Sequence, residues 1–235
     1  MHDNDAFDAT DHFGDEHAVI YDDKIRQVIR GYDEMHDLTY YLLDTALEDK
    51  AAILVSGVGT GHEALTYAEN QHGWTVTGVD PTPEMIASAT RKIKARGLED
   101  RVRVSVGTVA DLAADRFDAA TSILVMQFLK DDGAKEKYLV EIAEKLRPGA
   151  KLILIDLEGE KGSHEFELLL SAWKSHQYGT RTDHDQIDRD FAHVDADLQF
   201  VPEKRIRELL HATGFVNTCK FYKSYLFAGY LAEKG

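Results

Sequence analysis

The chain has 235 residues, 43% hydrophobic and 29% charged, the composition of a globular domain able to bury a core rather than of a disordered or fibrous chain. Its 42 acidic against 27 basic residues give a formal charge of −15, a poor match for a polyanion, so nucleic acid is disfavoured as a partner and a small molecule favoured. No apolar run approaches the roughly 18 residues that span a bilayer, and the single cysteine, Cys219, excludes an internal disulfide, so a cytoplasmic protein is expected.

Residues 1–23 carry eight acidic residues and no Lys or Arg, which predicts a solvated arm up to about Gly14 and no secretory leader. From Ala18 to about Ala46 apolar residues recur at helical spacing (Ile25, Val28, Ile29, Tyr32, Met35, Leu42, Leu43), predicting one or two helices with a break near Gly31. An alternation of strands and helices follows. "AILVSG" reads as a strand and "HEALTYAENQ" as a helix; "TVTGVD" is a second strand. "TPEMIASATRKIKARG" is a helix with Thr82 as N-cap, Pro83 in the first turn and Gly97 at its end. "RVRVSVG" and "FDAATSILVM" are strands three and four, "GAKEKYLVEIAEKLRPG" is a helix stopped by Pro148-Gly149, and "KLILIDL" is strand five. Such alternation means βαβ units, hence a doubly wound α/β sheet with helices on both faces.

After Glu158 the rhythm changes. "HEFELLLSAWKSHQY" reads as a helix, and "GTRTDHDQIDRDFAHVDADLQ" as a polar, solvated lid. "PEKRIRELLHATG" is a helix, and "FVNTCKFYKSY" and "LFAGYLAEK" are two closing strands, the last pair bringing an antiparallel strand. The helical additions are expected over the carboxyl ends of the strands, where open parallel sheets bind ligands. His184 and His193 are of metal-ligating type, but their spacing matches no metal motif, so no metal is expected.

The first strand runs into Gly57, Gly59 and Gly61, spaced two apart. Glycine is used where the backbone takes positive φ or approaches something closely. A dinucleotide fingerprint, G-x-G-x-x-G, would need glycine at position 62, where His62 stands, so a nicotinamide cofactor is disfavoured. The second strand ends in Asp80, 19 residues after Gly61, and a carboxylate there can accept both hydroxyls of a ribose.

"VSGVGTG", "VTGVDPTPEMIASA", "VSVGTVADL" and "LRPGAKLILID" together resemble the class I S-adenosylmethionine-dependent methyltransferase family over roughly residues 50–160. "YDDKIRQVIRGY", "LVMQFL" and "HATGF…YKSYLFAGYLA" resemble its branch of carboxy-S-adenosylmethionine synthases and related small-molecule methyltransferases. The resemblance implies a Rossmann-like seven-stranded sheet, with an acidic arm and cap helices over 1–47, a core over 48–235 and a lid insertion at about 160–200. It implies S-adenosyl-L-methionine as cofactor and a small molecule as methyl acceptor. Gly57, Val58 and Gly59 would line the methionine part; Asp80 would hold the ribose; Pro81, Met85, Thr108, Val109 and Ile123 would border the adenosyl group; and Tyr32 would close over it.

The chain departs from the family pattern in places. Ser56 and Thr108 stand where many members carry acidic residues, so Asp111 is the expected partner of the adenine amino group. Ile123 replaces an asparagine of the synthase branch, which favours plain methyl transfer; the synthase alternative needs Arg189, Arg26 or Arg30 facing the methyl. A non-catalytic S-adenosylmethionine-binding protein is the third reading. Substrate-side candidates are Tyr21, Tyr32, Gln127, Trp173, His176, Tyr178 and Arg189. The apolar N-terminal helices leave a homodimer open.

Overall fold

The computed structural model describes residues 15–113 and 116–235, with side chains from Tyr21 onward. The arm expected up to Gly14 lies outside the described residues. Helix α1 (Asp15–Val28) and helix α2 (Tyr32–Ala46) flank Gly31, which takes φ 78° and turns the chain between them. Then come β1 (Ala52–Ser56), α3 (His62–Asn70), β2 (Thr75–Asp80), α4 (Pro83–Ala95), β3 (Val102–Val106) and β4 (Phe117–Ile123). The chain continues through α5 (Ala134–Lys145), β5 (Leu146–Leu157), α6 (His164–Thr180), α7 (His184–Asp197) and α8 (Glu203–Ala212) to β6 (Phe215–Ser224) and β7 (Phe227–Lys234).

The seven strands form one sheet in the order β3-β2-β1-β4-β5-β7-β6. β1 to β5 are parallel, with Ile53 opposite Val76 on one side and Ala119 on the other. β7 runs antiparallel between β5 and β6, with Ile153 opposite Leu231. Strand alternation sorts the core into two layers. Ile53, Val55, Ile153 and Ile155 pack on one face with Tyr67, Trp74 and Trp173, while Leu54, Leu152 and Leu154 pack on the other with Ile142, Leu209 and Tyr230.

Three sequence expectations change. The helix expected to be stopped by Pro148-Gly149 ends at Lys145, because Leu146 is buried and already pairs with Phe117. Pro148-Gly149 lies in the irregular first part of β5, where the register jumps before Ala119 meets Lys151. The polar stretch read as a solvated lid contains the helix α7, started by Asp183, whose side chain accepts from Gln186 N at 2.9 Å. Its buried residues Ile187, Phe191 and Val194 stand four and three apart, one helical stripe under an acidic outer face. Finally, Thr82 sits at the N-cap position of α4 without capping it through its side chain; its backbone N–H donates to Asp80 Oδ1 at 2.9 Å.

The roof over the strand ends is clamped from a distance. The last carbonyls of α1 lack partners in their own helix. Trp173 Nε1 donates to Val28 O at 2.9 Å, and Gln177 Nε2 donates to Gln27 O and Val28 O, each at 3.0 Å. Ser224 Oγ donates to Arg30 O at 2.8 Å. So α6 and β6 fix α1 where it covers the carboxyl ends of β1 and β2. No helix among the described residues is long and apolar enough to cross a membrane.

Candidate functional site

The glycine loop after β1 is stitched to the end of β2. Gly57 N and Val58 N both donate to Val79 O, at 2.9 and 3.0 Å, and Gly59 N donates to Asp80 Oδ2 at 3.0 Å. Gly57, Gly59 and Gly61 take φ of 74°, 51° and 90°, a region that disfavours any residue with a Cβ. A Cβ on Gly57 would lie 2.3 Å from Val125 Cγ2, so part of what approaches the loop so closely is the chain's own Val125. A Cβ on Gly59 would have no atom within 4 Å. Gly59 borders open cleft.

That cleft has a volume of about 720 Å³, within the range of small-molecule sites. On the β2–β3 side it is walled by Asp80, Pro81, Met85, Thr108 and Val109, and in the middle by Gly57, Gly59 and Ile123. Past β4 it continues under the roof between Ile25, Val28, Gln127, Phe128, Trp173, His193, Val194, Leu198 and Phe227. Burial raises the Asp80 carboxyl above its usual range, against the backbone N–H groups of Thr82 and Gly59 that stabilise its charge. Leu124, at the end of β4, holds φ 61° in the cleft wall, a conformation a branched side chain adopts only where the surroundings enforce it.

The family departures have local explanations. Ser56 Oγ and Ser122 Oγ each hydrogen-bond Tyr138 OH, at 2.8 and 2.7 Å, so a hydroxyl trio joins β1, β4 and α5 where an acid was expected. Asp111 Oδ2 accepts from Thr108 N at 2.8 Å and Thr108 Oγ1 at 2.9 Å. The Asp111 side chain therefore closes the turn that presents Thr108 and Val109 to the cleft.

A second, smaller cavity adjoins the glycine loop, walled by Tyr21, Tyr32, His36, Val58, His62 and Glu63 among others. Tyr32 and Val58 face this space; Tyr21 borders both. His36 stacks edge-on between Tyr32 and His62, with centroids 4.5 and 4.6 Å away. Burial drives His36 down to about 3, so it is neutral. Burial pushes Glu63 up to about 7, although Thr121 Oγ1 donates to its Oε1 at 2.7 Å.

The sign of the Glu63 shift sets a pH dependence. An unfolded glutamate loses its proton near 4.5 and the folded one near 7, so stability falls as pH rises between those values and levels off above. Glu63→Gln keeps the shape without the charge. Its advantage over the parent should grow by about 2 kcal/mol between pH 5.5 and 8, at about 1.36 kcal/mol per pH unit up to 7. Urea denaturation at the two pH values checks this, and an equal difference at both would refute it.

Several sequence candidates lie elsewhere. Tyr178 is exposed and hydrogen-bonds Asp188. His176 packs against Tyr225, 6.0 Å between centroids, and is not among the cleft residues. Arg189 is exposed on α7 and donates through Nε and Nη2 to Gln186 Oε1 at 3.3 and 2.9 Å. Arg26 donates to Asp33 Oδ1 and lies over the Tyr32 ring, and Arg30 is exposed. The described cations lining the cleft are Lys24, Lys137 and His193 when protonated.

The sequence offers His193 only as a residue of metal-ligating type. It lines the cleft, and its Nδ1 is 2.7 Å from Asp197 Oδ2 one turn on. The H-x-x-x-D spacing was the available signal. His184 lies nine residues before His193, about 180° around α7, and no group of three or more His, Cys, Asp or Glu among the described residues could hold a metal ion.

Residues 53–149 match the model of a methyltransferase domain. The chain is 36% identical over 115 residues to a demethylmenaquinone methyltransferase of Thermus thermophilus, covering 48% of this chain and 51% of that protein. It is 23% identical over 229 residues to a carboxy-S-adenosyl-L-methionine synthase of Methylococcus capsulatus, covering 94% and 93%. The curated relatives at 30% identity or more are matched over about half their length or less. Among solved structures, the magnesium protoporphyrin IX methyltransferase of Synechocystis with bound SAH superposes with a TM-score of 0.71 at 15% identity, covering 96% of this chain and 98% of that one.

Proposed function

We propose that this chain, whose residues 53–149 match a methyltransferase-domain model, belongs to the class I S-adenosylmethionine-dependent family and transfers a methyl group from S-adenosylmethionine to a small molecule. The observation that carries the reading is the buried Asp80 carboxylate at the end of β2, tied to the glycine loop through Gly59 N and opening on a cleft that continues beyond β4. The cofactor fits these residues. Asp80 retains lone pairs for ribose hydroxyls, Gly57 and Gly59 leave room beside the methionine part, and Met85 and Val109 offer apolar surface to the adenine.

When bound, S-adenosylmethionine supplies a methyl group already activated by its sulfonium. The protein's part is alignment and exclusion of water. The roof helices α1, α6 and α7 enclose the far half of the cleft with Val28, Trp173, Val194 and Leu198. His193, its Nδ1 2.7 Å from Asp197 Oδ2, lines this half as well. An enclosed second half favours an enzyme over a binding protein. The synthase reading needs an arginine facing the methyl, and Arg189, Arg26 and Arg30 are engaged or exposed outside the cleft, which favours plain methyl transfer. Exposed, reduced Cys219 suits a cytoplasmic setting.

Calorimetric titration tests the reading. S-adenosylhomocysteine is expected to bind one per chain, and NAD not at all. Binding of NAD alone, or of neither, overturns it. Mass spectrometry of ligand carried through native purification should find an adenosyl compound; a carboxylated one would turn the proposal to the synthase.

A further inference from the structure

The charged groups around the roofed half of the cleft sort into pairs, with one cation left over. Lys137 Nζ stands 3.8 Å from Glu141 Oε1, and His193 Nδ1 lies 2.7 Å from Asp197 Oδ2, so each of these pairs carries its own counter-charge. The third group is different. Asp190 on α7 accepts from Arg181 Nη2 at Oδ2, 2.8 Å away, and from Gln186 Nε2 at Oδ1, 2.9 Å away. Lys24 Nζ reaches across from α1 to 3.2 Å from the same Oδ1. Among the described residues no other carboxylate pairs with Lys24 or Arg181. One carboxylate between two cations leaves one positive charge over.

The surplus falls to Lys24. Arg181 is the deeper cation, its side chain 10% exposed against 32% for Lys24, and it holds the shorter contact. A guanidinium cannot shed its charge, and a charge so far from water needs its counter-ion close, so Asp190 balances Arg181 first. Lys24 also lines the cleft, which Arg181 does not. Beside it the wall is apolar, built from Ile25 and Val28 of α1, Trp173 of α6, and Val194 and Leu198 at α7. A chain of net charge −15 repels small anions at long range, so an anion is held only where a local cation meets it. Lys24 is such a cation, set at the edge of an apolar wall.

We propose that the methyl acceptor is an organic acid whose apolar body lies against this wall and whose carboxylate is received by the Lys24 ammonium. The inference rests on the methyltransferase reading, which sets the acceptor in this half of the cleft. Lys24 acts as a specificity residue. It offers an acid a charge-assisted hydrogen bond, and a neutral molecule of the same shape would cover the ammonium without making one.

The test uses the full chain saturated with S-adenosylhomocysteine, titrated calorimetrically with 2-naphthoate and with 2-naphthamide. The two probes share shape and ring surface and differ in charge. 2-Naphthoate is expected to bind about tenfold more tightly, the worth of one hydrogen bond between charged groups, and its lead should shrink as sodium chloride is raised. Lys24→Met keeps the apolar stem without the ammonium, and in it the two probes should bind within about twofold of each other. Lys24→Arg keeps the charge and should keep the preference. Equal binding of the probes in the parent overturns the proposal, as does a preference that survives Lys24→Met or failure of both probes to bind. The amino-acid part of the cofactor also carries a carboxylate. Were Lys24 to serve that one, Lys24→Met would weaken S-adenosylhomocysteine binding and Lys24→Arg would not, and this outcome too overturns the proposal. Loss of S-adenosylhomocysteine binding in the parent would instead sink the methyltransferase reading, so the two failures are distinct.

Discussion

Asp80→Ala is expected to weaken S-adenosylhomocysteine binding by about 1 to 3 kcal/mol, roughly 5- to 150-fold. The carboxylate has two tasks that the methyl of alanine cannot perform. Its oxygens accept from Gly59 N at 3.0 Å and Thr82 N at 2.9 Å, which sets the height of the glycine loop over the end of β2. The lone pairs that remain face the cleft and are the ones a ribose would use. Asp80→Asn separates the tasks, since one amide oxygen can serve only one of the two N–H groups, and its affinity should fall between parent and alanine. Both variants expose the freed N–H groups to cleft water, so folding should survive, as far-UV circular dichroism would show. Because burial raises this carboxyl, binding in the parent should weaken on acidification before an exposed aspartate would titrate, the protonated form having lost acceptor capacity. Calorimetry at neutral pH decides the matter. An alanine variant that binds as the parent does would remove Asp80 from the site.

What could be read from the sequence was whatever the chain encodes locally. The glycines at 57, 59 and 61, the strand endings and Asp80 announce themselves through spacing, and the structure gathers Gly57, Gly59 and Asp80 at one mouth. Period-two alternation in "KLILIDL" sorts Leu152 and Leu154 from Ile153 and Ile155 before any packing is known. The polar tract after Gly179 hid its helix because aspartates crowd three of its sides, and only Ile187, Phe191 and Val194 betray the fourth. Once that helix exists, Arg189 follows: it stands about 200° around the axis from Ile187 and so faces solvent, beside Gln186. The clamp from Trp173 and Gln177 onto Val28 joins residues 145 and 149 apart in sequence. No spacing rule reaches that far. The same holds for Gln127, whose backbone partners Asp156 and Gln199 come from other parts of the chain.

Gly57→Ala is expected to cost about 2 to 5 kcal/mol of stability, by two separable routes. A residue with a Cβ pays roughly 1 to 2 kcal/mol for the left-handed backbone, and Gly57 holds φ 74°. The added carbon would also sit 2.3 Å from Val125 Cγ2, and relieving such an overlap in a packed wall costs about 1 to 3 kcal/mol. Because Gly57 N and Val58 N both bond Val79 O, the loop cannot yield without lifting Gly59 from Asp80, so S-adenosylhomocysteine affinity should fall at least about tenfold as well. Val125→Ala removes the obstructing methyl and not the backbone strain. In the double variant the steric part should return, a coupling of about 1 to 3 kcal/mol in a double-mutant cycle read by urea denaturation, while the rest persists. Gly59→Ala is the contrast: no atom lies within 4 Å of its Cβ position, so it should lose only the backbone part of the stability, and Val125→Ala should not rescue it. A Gly57→Ala protein as stable as the parent would mean that the loop can relax away from Val125, and that the first glycine serves the ligand alone.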